Sequence, residues 1–189
     1  MDITGSYALP CSPEAAWAAL NDPEALKAAL TGCESLERTS PITFIGTVAT
    51  RIGPVSARFS GKMAQSEIDP PRGCIMTFEG QGGAAGFVKG RANVTLTAEG
   101  DGVRLTYVAE TQIGGKLAQI GARLVEGAAR SMADDFFGKF AQGLAPTPVD
   151  TVGPQVQDRR HSRAGGVTGW LVVAGAVLLL AMLAYRLFA

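Results

Sequence analysis

Apolar and polar side chains alternate through residues 34–113, and this long alternation is the feature that most restricts what the chain can fold into. Successive side chains point to opposite faces of a β-strand, so the pattern predicts a series of half-buried strands. Sequences rich in Gly, Pro and Asp, at 53–54, 69–73 and 99–102, are typical of the turns between them. We therefore expect an antiparallel meander with one buried face and one exposed face.

Shorter patterns before residue 34 predict one more strand and two short helices. Residues 3–9 alternate and indicate a first strand. Ser12 followed by Pro13 and Glu14 is a typical helix start, because it combines a capping hydroxyl with a proline and an acid in the first turn. The Asn-Asp-Pro sequence at 21–23 predicts a second helix that ends near 31–32.

Residues 116–142 predict one long amphipathic helix, because apolar side chains recur there at three- and four-residue steps. The predicted buried stripe consists of Leu117, Ile120, Leu124, Ala128, Met132, Phe136 and Phe140. A strand, two helices, a curved antiparallel sheet and a long terminal helix are the order of an α+β helix-grip fold. We assign residues 1–143 to this domain.

The C-terminal part of the chain has a different character. Residues 164–185 contain no charged side chain, and a helix of that length spans about 30 Å, the thickness of a bilayer's hydrocarbon core. The segment predicts a transmembrane helix, with 186–189 as a short tail. Arg159, Arg160 and Arg163 precede it and only Arg186 follows, so the preceding side is expected to be cytoplasmic. Residues 144–163 contain three prolines and predict a flexible linker.

Charge and cysteine content exclude several classes of function. The formal net charge is +0, and without a basic face the chain is not expected to bind nucleic acid. Cys11, Cys33 and Cys74 match neither a metal-binding nor a disulfide spacing and indicate reduced cytosolic thiols. The N-terminus has no secretory signal, so the folded domain is expected in the cytoplasm.

No motif in the sequence predicts a catalytic or metal site. His161 is the single histidine and lies in the predicted linker, and no serine-elbow sequence is present. The alternation places Glu79 and Glu110 on the exposed face of their strands. Residues 80–85 fit a GxGxxA pattern, but a strand rather than a helix is predicted after them, so we interpret them as a connection between strands.

The interior of the predicted domain favours a cavity for a lipophilic ligand. It combines flexible methionines with small residues, which leave space between the helix and the sheet. The predicted cavity residues are Phe59, Met63, Met76, Phe78, Tyr107, Leu117, Ile120, Leu124, Ala128 and Met132. A glycine-rich loop with Gly82, Gly83, Gly86 and Phe87 is expected to border the cavity mouth.

The domain also resembles a known family. The segments that carry the resemblance are 16–24, 32–36, 52–59, 80–87, 114–121 and 134–137. Together they make residues 1–143 similar to the CoxG subunit family of carbon monoxide dehydrogenase, within the START/Bet v1-like (SRPBCC) superfamily. The resemblance implies a non-catalytic accessory protein that attaches a cytosolic molybdenum hydroxylase, carbon monoxide dehydrogenase or a relative, to the cytoplasmic membrane.

The ligand and the role remain open at this point. No tightly bound cofactor is expected, but a membrane quinone is the natural ligand for an apolar cavity on a membrane tether. One alternative is an enzyme of the cyclase or dehydratase type, for which Tyr107 is the best inward polar group. Another is a lipid carrier or a maturation factor for the partner enzyme.

Overall fold

Seven antiparallel strands form one sheet in the computed structural model, which describes residues 1–145. The strands are β1 (Asp2–Leu9), β2 (Cys33–Ser40), β3 (Thr43–Ile52), β4 (Val55–Asp69), β5 (Gly73–Gln81), β6 (Phe87–Glu99) and β7 (Gly102–Gly114). Their order across the sheet is β1-β7-β6-β5-β4-β3-β2. Strands β2 to β7 thus form the predicted meander, and β1 joins it beside the last strand.

Two short helices cross from β1 to β2, as predicted. They are α1 (Pro13–Leu20) and α2 (Pro23–Ala29), each with a proline in its first turn. The Ser12 hydroxyl accepts a hydrogen bond from the Ala15 amide at 3.2 Å, and the Asp22 carboxylate accepts one from the Glu24 amide at 3.0 Å. These side-chain caps satisfy amides that have no partner within the helix, so both helices begin where the sequence predicts.

The predicted single C-terminal helix is in fact two helices. A one-turn helix α3 (Lys116–Gln119) is followed by α4 (Ala122–Leu144). Gly121 separates them with a φ of +95°, a conformation that ends a right-handed helix and that glycine adopts without steric strain. The prediction of one continuous helix was therefore wrong at this point.

The long helix α4 packs on the inner face of the sheet and forms the core with it. Its buried side chains are Val125, Ala129, Met132, Ala133, Phe136, Phe137 and Phe140. On the sheet, the buried positions follow the predicted alternation, whereas Glu79 and Glu110 are exposed as expected. The domain is an α+β helix-grip fold, in which a curved antiparallel sheet wraps around a long helix.

The N-terminal half of the predicted helix stripe was wrong. Leu124 is 46% exposed and Ala128 is only half-buried, while Val125 and Ala129 take the inward positions. The cause is helix geometry: residues four apart are rotated by about 40° from one another at 3.6 residues per turn. Repeated four-residue steps from Phe140 back to Leu124 therefore leave the buried face.

Within residues 1–145, no helix is long and apolar enough to cross a membrane. The predicted transmembrane helix at 164–185, the tail at 186–189 and all of the predicted linker from 146 onward lie outside the described residues.

Candidate ligand-binding site

A small apolar cavity of about 40 Å³ lies between α1, α2, α4 and the inner face of the sheet. It is lined by Trp17, Leu20, Asn21, Leu26, Met63, Gln65, Cys74, Met76, Val94, Leu105, Tyr107, Phe136 and Phe137. This volume is more than one water molecule needs, but it is far below the roughly 300 Å³ at which ligand pockets begin. The cavity is therefore too small for a ligand of ordinary size, and a larger molecule requires the surrounding side chains to move.

Two side-chain amides supply the polar lining of the cavity. Asn21, just after α1, donates a hydrogen bond from Nδ2 to the Trp17 carbonyl oxygen at 2.9 Å. Gln65 lies on β4, two residues beyond Met63 on the same face, and is 5% exposed. The remaining lining residues are almost all apolar or aromatic.

Tyr107 lines the cavity with its ring, but its hydroxyl lies elsewhere. A Cβ atom built on Gly5 of β1 would be 2.7 Å from the Tyr107 hydroxyl oxygen, so this end of the ring covers β1. Beside it, the Tyr7 hydroxyl donates a hydrogen bond to Asp134 Oδ1 at 2.8 Å, and the Tyr7 ring stacks on Phe137 with centroids 4.2 Å apart. Tyr107 therefore presents an aromatic surface to the cavity.

The ionisable groups around the cavity are held in their neutral forms. Burial raises the pKa of the Cys74 thiol to about 11. Burial also raises the pKa of Tyr107, and burial followed by the hydrogen bond to Asp134 raises that of Tyr7. In the described part of the chain, no carboxylate, ammonium or guanidinium group lines the cavity. The chemistry of its wall is that of a neutral, apolar binding site.

The structure brings only some of the predicted cavity residues together. Met63, Met76 and Tyr107 line the cavity. Phe59, Phe78, Leu117 and Met132 are buried in other parts of the core, and Ile120 is half-buried beside α3. Leu124 does not face the interior at all; a Cβ atom on Gly53 would lie 2.8 Å from its Cδ2, so it rests on the turn between β3 and β4.

The glycine-rich loop does not line this cavity. Gly83–Ala85 forms a single 3₁₀ turn that joins β5 to β6, and the exposed Phe87 begins β6. A side chain at Gly82 would overlap the ring of Phe59, and one at Gly86 would overlap the Gly114 carbonyl. The loop is a close-packed connection between two strands, as predicted from the strand pattern that follows it in the sequence. It packs against β4 and the turn after β7.

Several lining residues were missed by the sequence analysis. Trp17, Leu20, Asn21 and Leu26 belong to the two helices and their junction, for which no burial pattern was derived. Gln65 continues the inward positions of Phe59 and Met63, so extending the alternation by one step would have located it. Phe136 belonged to the predicted stripe, and its neighbour Phe137 completes the wall from α4.

No metal centre is formed by the residues that the structure describes. Nowhere in residues 1–145 do three or more His, Cys, Asp or Glu side chains come close enough to hold an ion. The three cysteines are free, with Cys74 buried and Cys11 and Cys33 half-buried.

Solved structures with the same fold span most of the chain. A conserved protein from Geobacillus kaustophilus is 31% identical, with a TM-score of 0.72 over 77% of this chain and 95% of its own. A START superfamily protein from Mycobacterium smegmatis is 12% identical, with a TM-score of 0.60 over 76% and 96%. A Thermus thermophilus protein is 14% identical, with a TM-score of 0.54 over 76% and 97%. The last two likenesses concern the fold alone.

Comparison with curated proteins found no match. The family comparison is decisive, because one family model matches residues 5–145, which include every strand from β2 to β7 and all four helices. That family is described as the CoxG subunit of carbon monoxide dehydrogenase. The helix-grip domain and this match together show that the chain belongs to the CoxG subunit family of carbon monoxide dehydrogenase.

Proposed function

We propose that this chain is a non-catalytic accessory protein that recruits a cytosolic molybdenum hydroxylase, carbon monoxide dehydrogenase or a relative, to the cytoplasmic membrane. The observation that carries the proposal is the family match over residues 5–145, since the family is named as a subunit of carbon monoxide dehydrogenase. The molybdenum chemistry belongs to the partner enzyme. This chain contributes a folded domain, a linker and an apolar C-terminal segment.

The C-terminal sequence supports the membrane part of the proposal. Residues 164–185 carry no charge and are long enough to span a bilayer as a helix. A flexible linker of some 20 residues has a root-mean-square reach of about 25 Å, so the domain can meet a soluble enzyme without lying on the lipid. Tethering raises the effective concentration of the domain at the membrane, and a modest affinity then suffices for recruitment.

The apolar cavity supports a second activity, the binding of a lipophilic molecule such as a quinone. Met63, Met76 and Leu26 offer an adaptable apolar wall, and the amides of Asn21 and Gln65 can hydrogen-bond to ring oxygens. The cavity of about 40 Å³ must widen before a quinone ring fits. Trp17, Leu20 and Met76 are half-buried rather than enclosed, so these side chains are the ones that would move.

Membrane recruitment is tested by fractionation of cells that carry the full chain or a version ending at Ala145. We expect the full chain and the partner enzyme in the membrane fraction, and both in the soluble fraction when residues 146–189 are removed. Enzyme activity with a soluble dye is measured in both fractions and is expected to be unchanged. If the shortened chain still sediments with lipid at high salt, residues 164–185 are not the anchor.

Deletion of the gene separates recruitment from maturation. A lipid carrier or maturation factor would use the same cavity, but deletion of the gene would then abolish dye activity itself rather than release an active enzyme.

A cyclase or dehydratase role has less support, because the Tyr107 hydroxyl, the polar group that it required, lies against β1 beside Tyr7. Extraction of the purified full chain with organic solvent identifies any bound lipophile.

A further inference from the structure

We propose that the start of α4 and the neighbouring β3–β4 turn form a docking surface for an acidic patch on the partner enzyme. We call this surface the basic tip and define it by Arg51, Lys116, Arg123 and Leu124. The inference rests on the proposed function, because its occupant is the recruited hydroxylase. It adds which part of this chain meets the enzyme and which chemistry the enzyme's surface must have.

The first observation is that the basic tip combines cations with an exposed apolar side chain. Leu124 is 46% exposed and rests on the β3–β4 turn, since a Cβ atom on Gly53 would lie 2.8 Å from its Cδ2. Arg51 donates a hydrogen bond from Nε to the Gly53 carbonyl oxygen at 3.0 Å. Arg123 is exposed in the first turn of α4, and Lys116 is exposed at the start of α3. Leu124 is therefore flanked by cationic groups.

The second observation is that this end of the domain carries charge of one sign. It is formed by the β3–β4 hairpin, the β5–β6 loop and the residues that follow β7. The sequence has no Asp or Glu in 38–66, 80–98 or 111–125. Asp2 and Glu110 lie opposite each other further back on β1 and β7, four residues before β7 ends. The surface at this end is therefore basic, although the whole chain is neutral.

The third observation is that the three cations of the basic tip form no ion pair with a residue in 1–145. By contrast, Arg58 pairs with Glu34 at 2.7 Å, and Arg130 pairs with Glu126 at 3.1 Å. The first turn of α4 also contains no acid, so nothing there offsets the positive end of the helix dipole. An acidic surface would complement this charge.

The fourth observation favours the partner enzyme over the membrane as the occupant. Helix α4 runs for 23 residues from the basic tip to Leu144, a length of about 35 Å at 1.5 Å per residue. The chain continues toward the proposed anchor from that far end, so an anchored domain can point its basic tip away from the bilayer. Arginine beside an apolar centre is typical of protein interfaces, whereas three cations are few for a nucleic acid.

The test measures how the purified partner enzyme, detected by its activity with a dye, sediments with vesicles that carry the full chain. Vesicles of phosphatidylcholine alone are compared with vesicles that also contain phosphatidylglycerol. The variants are Arg123→Glu and Leu124→Ser. Their controls lie elsewhere on the domain: Lys27→Glu is an exposed charge reversal on α2, and Ile42→Ser changes an apolar side chain that is 44% exposed.

We expect Arg123→Glu to weaken enzyme binding about ten-fold or more in both kinds of vesicle, because it places a carboxylate opposite acidic side chains. Leu124→Ser should weaken binding about five-fold or more, since the apolar centre of the contact is lost. Lys27→Glu and Ile42→Ser should bind the enzyme like the parent. The melting temperature of Arg123→Glu should equal or exceed that of the parent, because an acid is favourable in the first turn of a helix. Unfolding then cannot explain its loss of binding.

Each contrary result has its own meaning. If the parent binds the enzyme and Arg123→Glu and Leu124→Ser bind it as tightly, this inference is wrong while recruitment stands. A loss that occurs only in vesicles with phosphatidylglycerol shows that the basic tip acts on lipid, which overturns the enzyme as its occupant. If the parent binds no enzyme in either kind of vesicle, recruitment itself fails, and the inference fails with it.

Discussion

Cys74 shows how burial links a single side chain to the stability of the whole domain. The thiol lies on β5 at the cavity wall, and burial raises its pKa from 9.0 to about 11. The unfolded chain therefore loses this proton at a lower pH than the folded chain does. The stabilising effect is complete below pH 9 and is lost as pH rises through about 11.

This difference predicts an alkaline loss of stability that Cys74→Ala reduces. Because one pKa unit corresponds to about 1.4 kcal/mol, the thiol accounts for roughly 2 to 3 kcal/mol of the loss at the alkaline end. Urea unfolding of both proteins from pH 8 to pH 11 measures the two slopes. Cys11→Ala is the control, since that thiol is only half-buried. Identical pH slopes in Cys74→Ala and the parent would contradict the assignment.

At the residue scale, the alternation predicted which sheet side chains are buried but not what fills the space between them. Met63 and Tyr107 were placed correctly from their phase alone. Gln65 was not recognised, because a polar residue at an inward position looks like the end of a buried strand segment. Its place in the cavity wall depends on how the helices pack on the sheet, and no local pattern contains that information.

At the scale of elements, the break between α3 and α4 determines how the long helix meets the sheet. Gly121 adopts a φ of +95° and Gly115, before α3, adopts +73°. Between them Leu117 is completely buried, so the short helix is fixed to the core by one side chain. The two glycines thus interrupt the helix, so the direction of α4 is not set by the direction of α3.

A pair of glycine substitutions tests this interpretation. Gly121→Ala should destabilise the domain by about 1 kcal/mol or more, since a side chain is strained at positive φ. Gly127→Ala, inside α4, should stabilise it by about 0.5 to 1 kcal/mol, because alanine favours a helix. A Cβ atom meets nothing within 4 Å at either position, so packing does not enter the comparison. Urea midpoints that move in the same direction for both variants would refute the strained conformation at Gly121.

The helix also shows why an apolar periodicity can predict where a helix lies in the sequence and still assign the wrong side chains to its buried face. Met132, Phe136 and Phe140 were predicted to be buried and are buried. Leu124 and Ala128 extend the same four-residue spacing, but four-residue rows turn steadily around a helix of 3.6 residues per turn. Val125 and Ala129 satisfy the true period, and choosing between the two rows requires knowing where the sheet lies.

At the scale of the whole molecule, the meander was predictable because neighbouring strands are joined by recognisable turns. The pairing of β1 with β7 was not predictable in this way, because the two strands are far apart in the sequence. Ile3 lies opposite Ala109, and the Met1 ammonium donates to the Thr111 carbonyl, 110 residues away along the chain. Local alternation predicts that β1 is a strand, but it contains nothing about which distant strand will be its neighbour.

The distance along the chain predicts that β1 contributes late to folding. Closing a loop of about 100 residues costs roughly 2 kcal/mol more in entropy than closing one of about 10 residues. Ile3→Ala should therefore destabilise the domain by about 2 to 5 kcal/mol, mainly by speeding its unfolding. Val94→Ala in β6, inside the meander, should slow folding more. Stopped-flow measurements in urea give both rates; a larger folding defect for Ile3→Ala would contradict this order.

The pairing of β1 with β7 also has a consequence during protein synthesis. Strand β1 ends at Leu9, but its neighbour in the sheet, β7, begins only at Gly102 and is synthesised much later. Until then its backbone amides and carbonyls are an unpaired edge, which is the type of surface that joins to other chains. The buried side chains of Ile3 and Leu9 are exposed during the same interval. We therefore expect β1 to promote aggregation of the nascent chain before β7 emerges, and a chaperone that shields Asp2–Leu9 would protect it.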